Sequence, residues 1–181
     1  MIYVFLAQGF EEIEALAVVD ILRRAELEVV TVGIGGRIVT GAHGIAVAAD
    51  LLDQDLVFKD LEMVVLPGGM PGTLNLEKSP VVQHAVDCAA AEGKWLCAIC
   101  AAPSILGHKG LLEGKAATCF PGFESQLFGA RYTGEPVTVD GLVITGKGPG
   151  AAIAFGLELV ARLKGRERSN ILGESMQCAE I

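Results

Sequence analysis

The 181 residues carry a formal net charge of −8 and are 51% hydrophobic, which excludes a disordered chain and suits one domain, residues 1–181, of the doubly wound size class. No run of Lys or Arg is present among the 14 basic residues, so a phosphate-backbone partner is excluded and a metabolite-handling protein fits better. Five cysteines, an odd number in no scaffold-like framing, set a reducing, cytoplasmic location as the expectation.

In chain order, Ile2–Leu6 predicts a first strand. Lacking a basic leader and running into Gln8-Gly9, it does not read as a secretion signal. A helix follows over about Glu11–Ala25, then a strand at Glu28–Val32. Arg37–Thr40 and Ile45–Ala48 predict a small hairpin across Gly41–Gly44. Met63–Leu66 is a buried strand that stops at Pro67-Gly68-Gly69, and Pro80 opens a helix to about Glu92. Trp95–Ala98 is the next strand, with a helix from Ala102-Pro103 to about Gly107. Ala116–Cys119 and Leu142–Thr145 predict later strands, and Ala151–Leu163 a final long helix. The apolar stretches Ala15–Leu22 and Ala151–Leu163 are too short, or too interrupted by charge, to span a membrane. This alternation predicts an α/β fold, a mostly parallel sheet with helices on both faces.

Ligands in such sheets bind at the carboxyl ends of the strands. Three junctions there carry unusual residues: Gln8–Glu14, Pro67–Gly72 and Ile99–Pro103. Cys100 lies between an apolar strand and a helix opened by Pro103, the position of a nucleophile turn. The free N–H groups of a helix start predict a thiol pKa below the usual range, with buried apolar filler as the alternative role. Glu11 and Glu12 are read as ordinary acids of a helix N-terminus. Glu14, bracketed by Ile13 and Leu16 on a helix that must pack on the sheet, is read as a desolvated carboxyl with a raised pKa, able to carry a proton for the sulfur. The N–H groups of the Gly68-Gly69 turn, with that of Ala101, are placed to bind an oxyanion.

Other signals carry less. Cys97 and Cys100 form a C-x-x-C pair, but no second pair or histidine cluster follows, so no metal site is expected. Neither Gly68-Gly69 nor Gly33-Ile34-Gly35-Gly36 supplies a dinucleotide fingerprint, so no cofactor is expected. His84 and His108 read as solvated residues on helices, and His43 as a residue near the rim of a site. Cys119 is a possible second thiol near the same rim, and Lys147-Gly148-Pro149-Gly150 a rigid start to the last helix.

In combination, Gly9-Phe10-Glu11-Glu12-Ile13-Glu14, Val19-Asp20-Ile21-Leu22-Arg23-Arg24-Ala25, Leu66-Pro67-Gly68-Gly69, Ala98-Ile99-Cys100-Ala101-Ala102-Pro103 and Lys147-Gly148-Pro149-Gly150 resemble the ThiJ/PfpI superfamily. The resemblance runs from Val4 to about Leu163 and is closest to the branch of the Parkinsonism-associated protein deglycase and bacterial ThiJ-like proteins. It implies a flavodoxin-like three-layer sandwich, a homodimer, a reactive cysteine at Cys100, its carboxyl partner at Glu14 and oxyanion donors at Gly69 and Ala101. It also implies a cofactor-free glyoxalase or deglycase acting on methylglyoxal, glyoxal or their adducts, or a redox sensor and chaperone working through oxidation of Cys100. Three positions depart from the family pattern. Ala101 replaces the histidine of protease-like members, which argues against peptidase activity. Phe120 replaces a histidine before Pro121, and His43 an arginine of deglycase relatives.

Overall fold

The computed structural model describes residues 1–178. Strands β1 (Ile2–Leu6), β2 (Val29–Gly33), β3 (Ile38–Thr40), β4 (Ala46–Ala48), β5 (Leu51–Leu52), β6 (Met63–Leu66), β7 (Trp95–Ile99), β8 (Ala116–Ala117), β9 (Arg131–Tyr132), β10 (Val137–Asp140) and β11 (Val143–Gly146) alternate with helices. The helices are α1 (Glu12–Arg24), α2 (Gly72–Lys78), α3 (Pro80–Ala91), α4 (Pro103–His108), α5 (Ala152–Lys164) and α6 (Arg166–Ser175). Seven strands form the main sheet in the order β10-β11-β7-β6-β1-β2-β5. Every neighbouring pair in it is parallel except β10 with β11.

Each central strand divides its side chains between two cores, because successive residues of a strand point to opposite faces. Ile2, Val4 and Leu6 of β1, with Met63 and Val65 of β6 and Cys97 and Ile99 of β7, pack beneath α1 and α5. Tyr3, Phe5, Val64, Leu66, Leu96 and Ala98 enter the other core, beneath α3 and α4. Burial on both faces is why these strands read as unbroken apolar runs. The result is the flavodoxin-like α/β sandwich expected from the sequence.

Several elements were not legible. The edge strand β10, joined to β11 by a turn through Gly141, is half polar. The helix α2 begins within a Pro/Gly cluster that reads as a turn. The polar helix α6 buries only Ser169, Leu172 and Gly173. The strand expected at Ala116–Cys119 is corrected. Only Ala116–Ala117 is extended, and it pairs with β9 in a separate two-stranded ladder. Thr118 instead donates its N–H to the hydroxyl of Thr145, 2.9 Å away.

The carboxyl ends of β1, β6, β7 and β11 lie side by side, so the loops after Leu6, Leu66, Ile99 and Gly146 share one edge of the sheet. The small antiparallel ladder of β3 and β4 folds back over this edge, where the Gly9 N–H donates to the Thr40 carbonyl at 2.8 Å.

Candidate active site

Cys100 follows β7 directly and has φ of 66°, the left-handed region that costs an ordinary L-residue about 1–2 kcal/mol. Two backbone hydrogen bonds hold it there. Its N–H donates to the Gly146 carbonyl at 2.9 Å, and its carbonyl accepts from the Phe120 N–H at 2.8 Å. The end of β11 on one side and the loop after β8 on the other thus hold the turn at Cys100. The residue is buried, 9% exposed.

Glu14 is fully buried, while its neighbour Ile13 is 55% exposed. An acid turned inward and an isoleucine turned outward invert the usual helix pattern, a local conflict that marks function more often than stability. The Glu14 Oε2 accepts the Gly68 N–H at 2.8 Å. A methyl group on Gly68 would lie 2.6 Å from the Cys100 Cβ and 2.7 Å from that same Oε2, so thiol and carboxyl flank one point. Only glycine fits between them. Gly69, at φ of +89°, is as constrained: a Cβ there would fall 2.4 Å from the Glu11 nitrogen. The Glu11 N–H donates to the Gly68 carbonyl at 3.0 Å, which locks the glycine turn to the start of α1.

Burial raises the Glu14 carboxyl to about 7, against the lowering effect of hydrogen bonds from Cys100 and Gly68; the charge of Glu11 adds to the rise. Burial also raises the Cys100 thiol, to about 12, and the nearby Glu14 carboxylate adds to it; the N–H groups of Gly69 and Ala101 act in the opposite direction. The sequence expectation of a depressed thiol pKa therefore fails for the resting state. The helix α4 is only six residues long, and burial of the sulfur, with a carboxylate beside it, outweighs its effect. Protonation of Glu14 removes the repulsion and turns the carboxyl into a donor to the thiolate, which lowers the thiol from that raised value.

All four residues singled out in the sequence, Cys100, Glu14, Gly69 and Ala101, meet at this point. Gly68, read as an oxyanion donor, gives its N–H to Glu14 instead, and Gly146 and the backbone of Phe120 were missed as site-builders, since their part is through the main chain. The other thiols stand apart. Cys97 is 1% exposed, with a pKa raised well above the usual range by burial, so the C-x-x-C pair has no accessible second sulfur. Cys119, fully buried, belongs to the opposite core and cannot serve as a rim thiol. Phe120 is 43% exposed and lines a mainly apolar cavity of about 320 Å³ with Pro121, Pro136 and the Lys147–Ala151 segment.

Residues 1–162 match the model of the DJ-1/PfpI family. The chain belongs to that family. Among relatives in the DJ-1/PfpI family, DJ-1 homolog B of Arabidopsis thaliana is 35% identical over 91% of this chain, which spans only 38% of the plant protein's length. The glutathione-independent glyoxalase DJR-1.2 of Caenorhabditis elegans is 32% identical over 90% of this chain and 87% of its own. The solved structure of oxidized DJ-1 from Toxoplasma gondii superposes with a TM-score of 0.95 at 32% identity, covering 99% of this chain and 98% of that one. These matches place the chain in the DJ-1 branch of the family. Among the described residues no helix is long and apolar enough to cross a membrane.

Proposed function

We propose that this single-domain protein is a cysteine-dependent glyoxalase or deglycase that needs no cofactor and acts on methylglyoxal, glyoxal or their adducts. The observation that carries this reading is the buried Glu14 carboxyl facing Cys100 across Gly68, with a pKa near neutrality. A proton carrier works best when its pKa lies near the working pH.

The steps balance within the chain. Glu14, ionised, takes the proton of the Cys100 thiol, and the sulfur adds to the aldehyde carbon of methylglyoxal. The new oxyanion takes a proton back from Glu14, giving a hemithioacetal, with the Gly69 and Ala101 N–H groups beside it. Glu14 then removes the hydrogen on the former aldehyde carbon and returns it to the adjacent carbon through an enediol. The product is a thioester of lactate on Cys100. Water hydrolyses it, releasing lactate and restoring the thiol, so the net change is addition of one water. The test is lactate production from methylglyoxal by Cys100→Ala. We expect none, and retained turnover would sink the reading.

A second reading rests on the same sulfur. The two N–H donors and a protonatable carboxyl around it suit the oxygens of a sulfinate, so peroxide would convert Cys100 into a stable oxidised form that signals stress or alters chaperone binding. Uptake of two oxygens at Cys100 with negligible dicarbonyl turnover would favour this over the enzyme. A homodimer is the assembly the family resemblance implies, and Ile13, Ile38 and Ile45 are each more than half exposed. Light scattering should give twice the chain mass. In either role the protein belongs in a reducing compartment such as the cytoplasm, where Cys100 is kept as a thiol.

A further inference from the structure

The turn at Cys100 has two unlike sides. Toward β6 and β1 stand Gly68, Gly69 and Glu14, and a single methyl on Gly68 would already meet the Cys100 Cβ at 2.6 Å and the Glu14 Oε2 at 2.7 Å. No substituent of a substrate fits between them. Toward β11, across β7, the two segments that hold Cys100 by its backbone run on into the walls of a cavity. The Gly146 carbonyl, which accepts the Cys100 N–H, leads into Lys147–Ala151. The Phe120 N–H, which donates to the Cys100 carbonyl, comes from the loop after β8. With Pro136 these segments line the space of about 320 Å³.

The chemistry of that lining is narrow. It consists of the Phe120 ring, the prolines at 121, 136 and 149, and a glycine-rich backbone. Phe120 is 43% exposed, a large apolar group left facing water that an apolar ligand would shield. Gly148 stands beside the ring: a Cβ there would lie 3.0 Å from its Cδ2 and 3.5 Å from its Cε2. Among the described residues of the lining, Lys147 alone is charged, and its ammonium already donates to the Gly134 carbonyl at 2.9 Å. A ring face with prolines around it suits an uncharged aromatic group.

We propose that this cavity is the subsite for the substituent of the carbonyl substrate, and that Phe120 makes the site select aryl α-oxoaldehydes over methylglyoxal and glyoxal. The inference rests on the proposed function, in which the substrate carbon is bonded to the Cys100 sulfur with its oxygen beside the Gly69 and Ala101 N–H groups. The substituent is then left to the β11 side. A methyl group or a hydrogen leaves the space unfilled, whereas an apolar cavity of about 150 Å³ already takes up a benzene molecule. With phenylglyoxal the sulfur adds to the aldehyde carbon, whose hydrogen passes to the adjacent carbon through the same enediol. Water then releases mandelate and restores the thiol, so the net change is again addition of one water.

The test compares kcat/KM for phenylglyoxal and methylglyoxal in the parent and in Phe120→Ala, with mandelate and lactate measured directly. The parent should favour phenylglyoxal. Phe120→Ala should lower the ratio of the two values by about tenfold or more, the least that a missing apolar contact in a pocket costs. Comparing ratios cancels the difference in intrinsic reactivity between the aldehydes, and thermal unfolding checks that the variant is folded. A second measurement needs neither turnover nor a variant. Acetophenone, an aryl ketone without an aldehyde, should show intermolecular nuclear Overhauser contacts to the Phe120 ring of the parent protein. A parent that favours methylglyoxal, an equal loss for both dicarbonyls in Phe120→Ala, or acetophenone without contact to Phe120 overturns the subsite. A protein that holds acetophenone against Phe120 yet makes neither hydroxy acid would keep the subsite and lose the proposed activity, so the two failures are distinct.

Discussion

Replacing Glu14 by Gln removes a carboxyl that folding carries fully into the interior, while an amide oxygen can still accept the Gly68 N–H. In the unfolded chain the carboxyl titrates near 4.5; in the folded protein burial holds it at about 7. A carboxyl raised in the folded state binds its proton more tightly there. The stability it confers is complete below pH 4.5, declines as pH rises, and levels off above the folded value. Integrating between those two values, the parent loses about 2 kcal/mol by pH 6 and about 3 kcal/mol by pH 8. The Gln variant has no such loss. Urea unfolding at pH intervals from 4 to 8 should therefore show the variant gaining on the parent by about 3 kcal/mol across the range. Within this window the Cys100 thiol stays protonated in both states and adds little. A difference flat to within about 1 kcal/mol would mean that the carboxyl ionises in place at no cost. The physical basis for Glu14 as a neutral-pH proton carrier would then be gone.

The same variant should separate acidity from activity. Losing the carboxylate charge lowers the Cys100 pKa, so alkylation by iodoacetamide should begin at lower pH than in the parent. Turnover should nevertheless fall by about 10²–10⁴, the contribution of a positioned acid–base group. Gly68→Ala places a methyl 3.0 Å from the Ile99 carbonyl as well as against both reactive side chains. It should cost about 1–3 kcal/mol in chemical denaturation and abolish most turnover. Gly107→Ala tests packing away from the site. Helix propensity alone favours it by about 1 kcal/mol. Its Cβ, however, would stand 2.2 Å from the Gln126 carbonyl and 2.9 Å from the Leu127 Cα, so the variant should be less stable than the parent by about 1–3 kcal/mol.

What could be read from the residues in order was whatever depends on local pattern. Unbroken apolar runs at Ile2–Leu6 and Met63–Leu66, punctuated by Gly and Pro, announced buried parallel strands. A cysteine between strand and helix, and an acid between Ile13 and Leu16, announced the two side chains that meet. Elements whose stability comes from distant partners were not legible. The strand β10 is held by β11, and α6 by contact with α5.

Tertiary structure alone decided the charge state of the site and the company its residues keep. The sulfur has a raised pKa because it is shielded from water and because a carboxylate from a helix 86 positions earlier in the chain lies beside it. Gly68 is indispensable because two separate segments, the start of α1 and the end of β7, converge on the space its missing side chain leaves. His43 lies 31 residues from Glu12, and no spacing rule links them until the hairpin folds onto α1. Desolvation and convergence arise only when the chain closes on itself, and for that reason sequence named the actors while the fold fixed their chemistry.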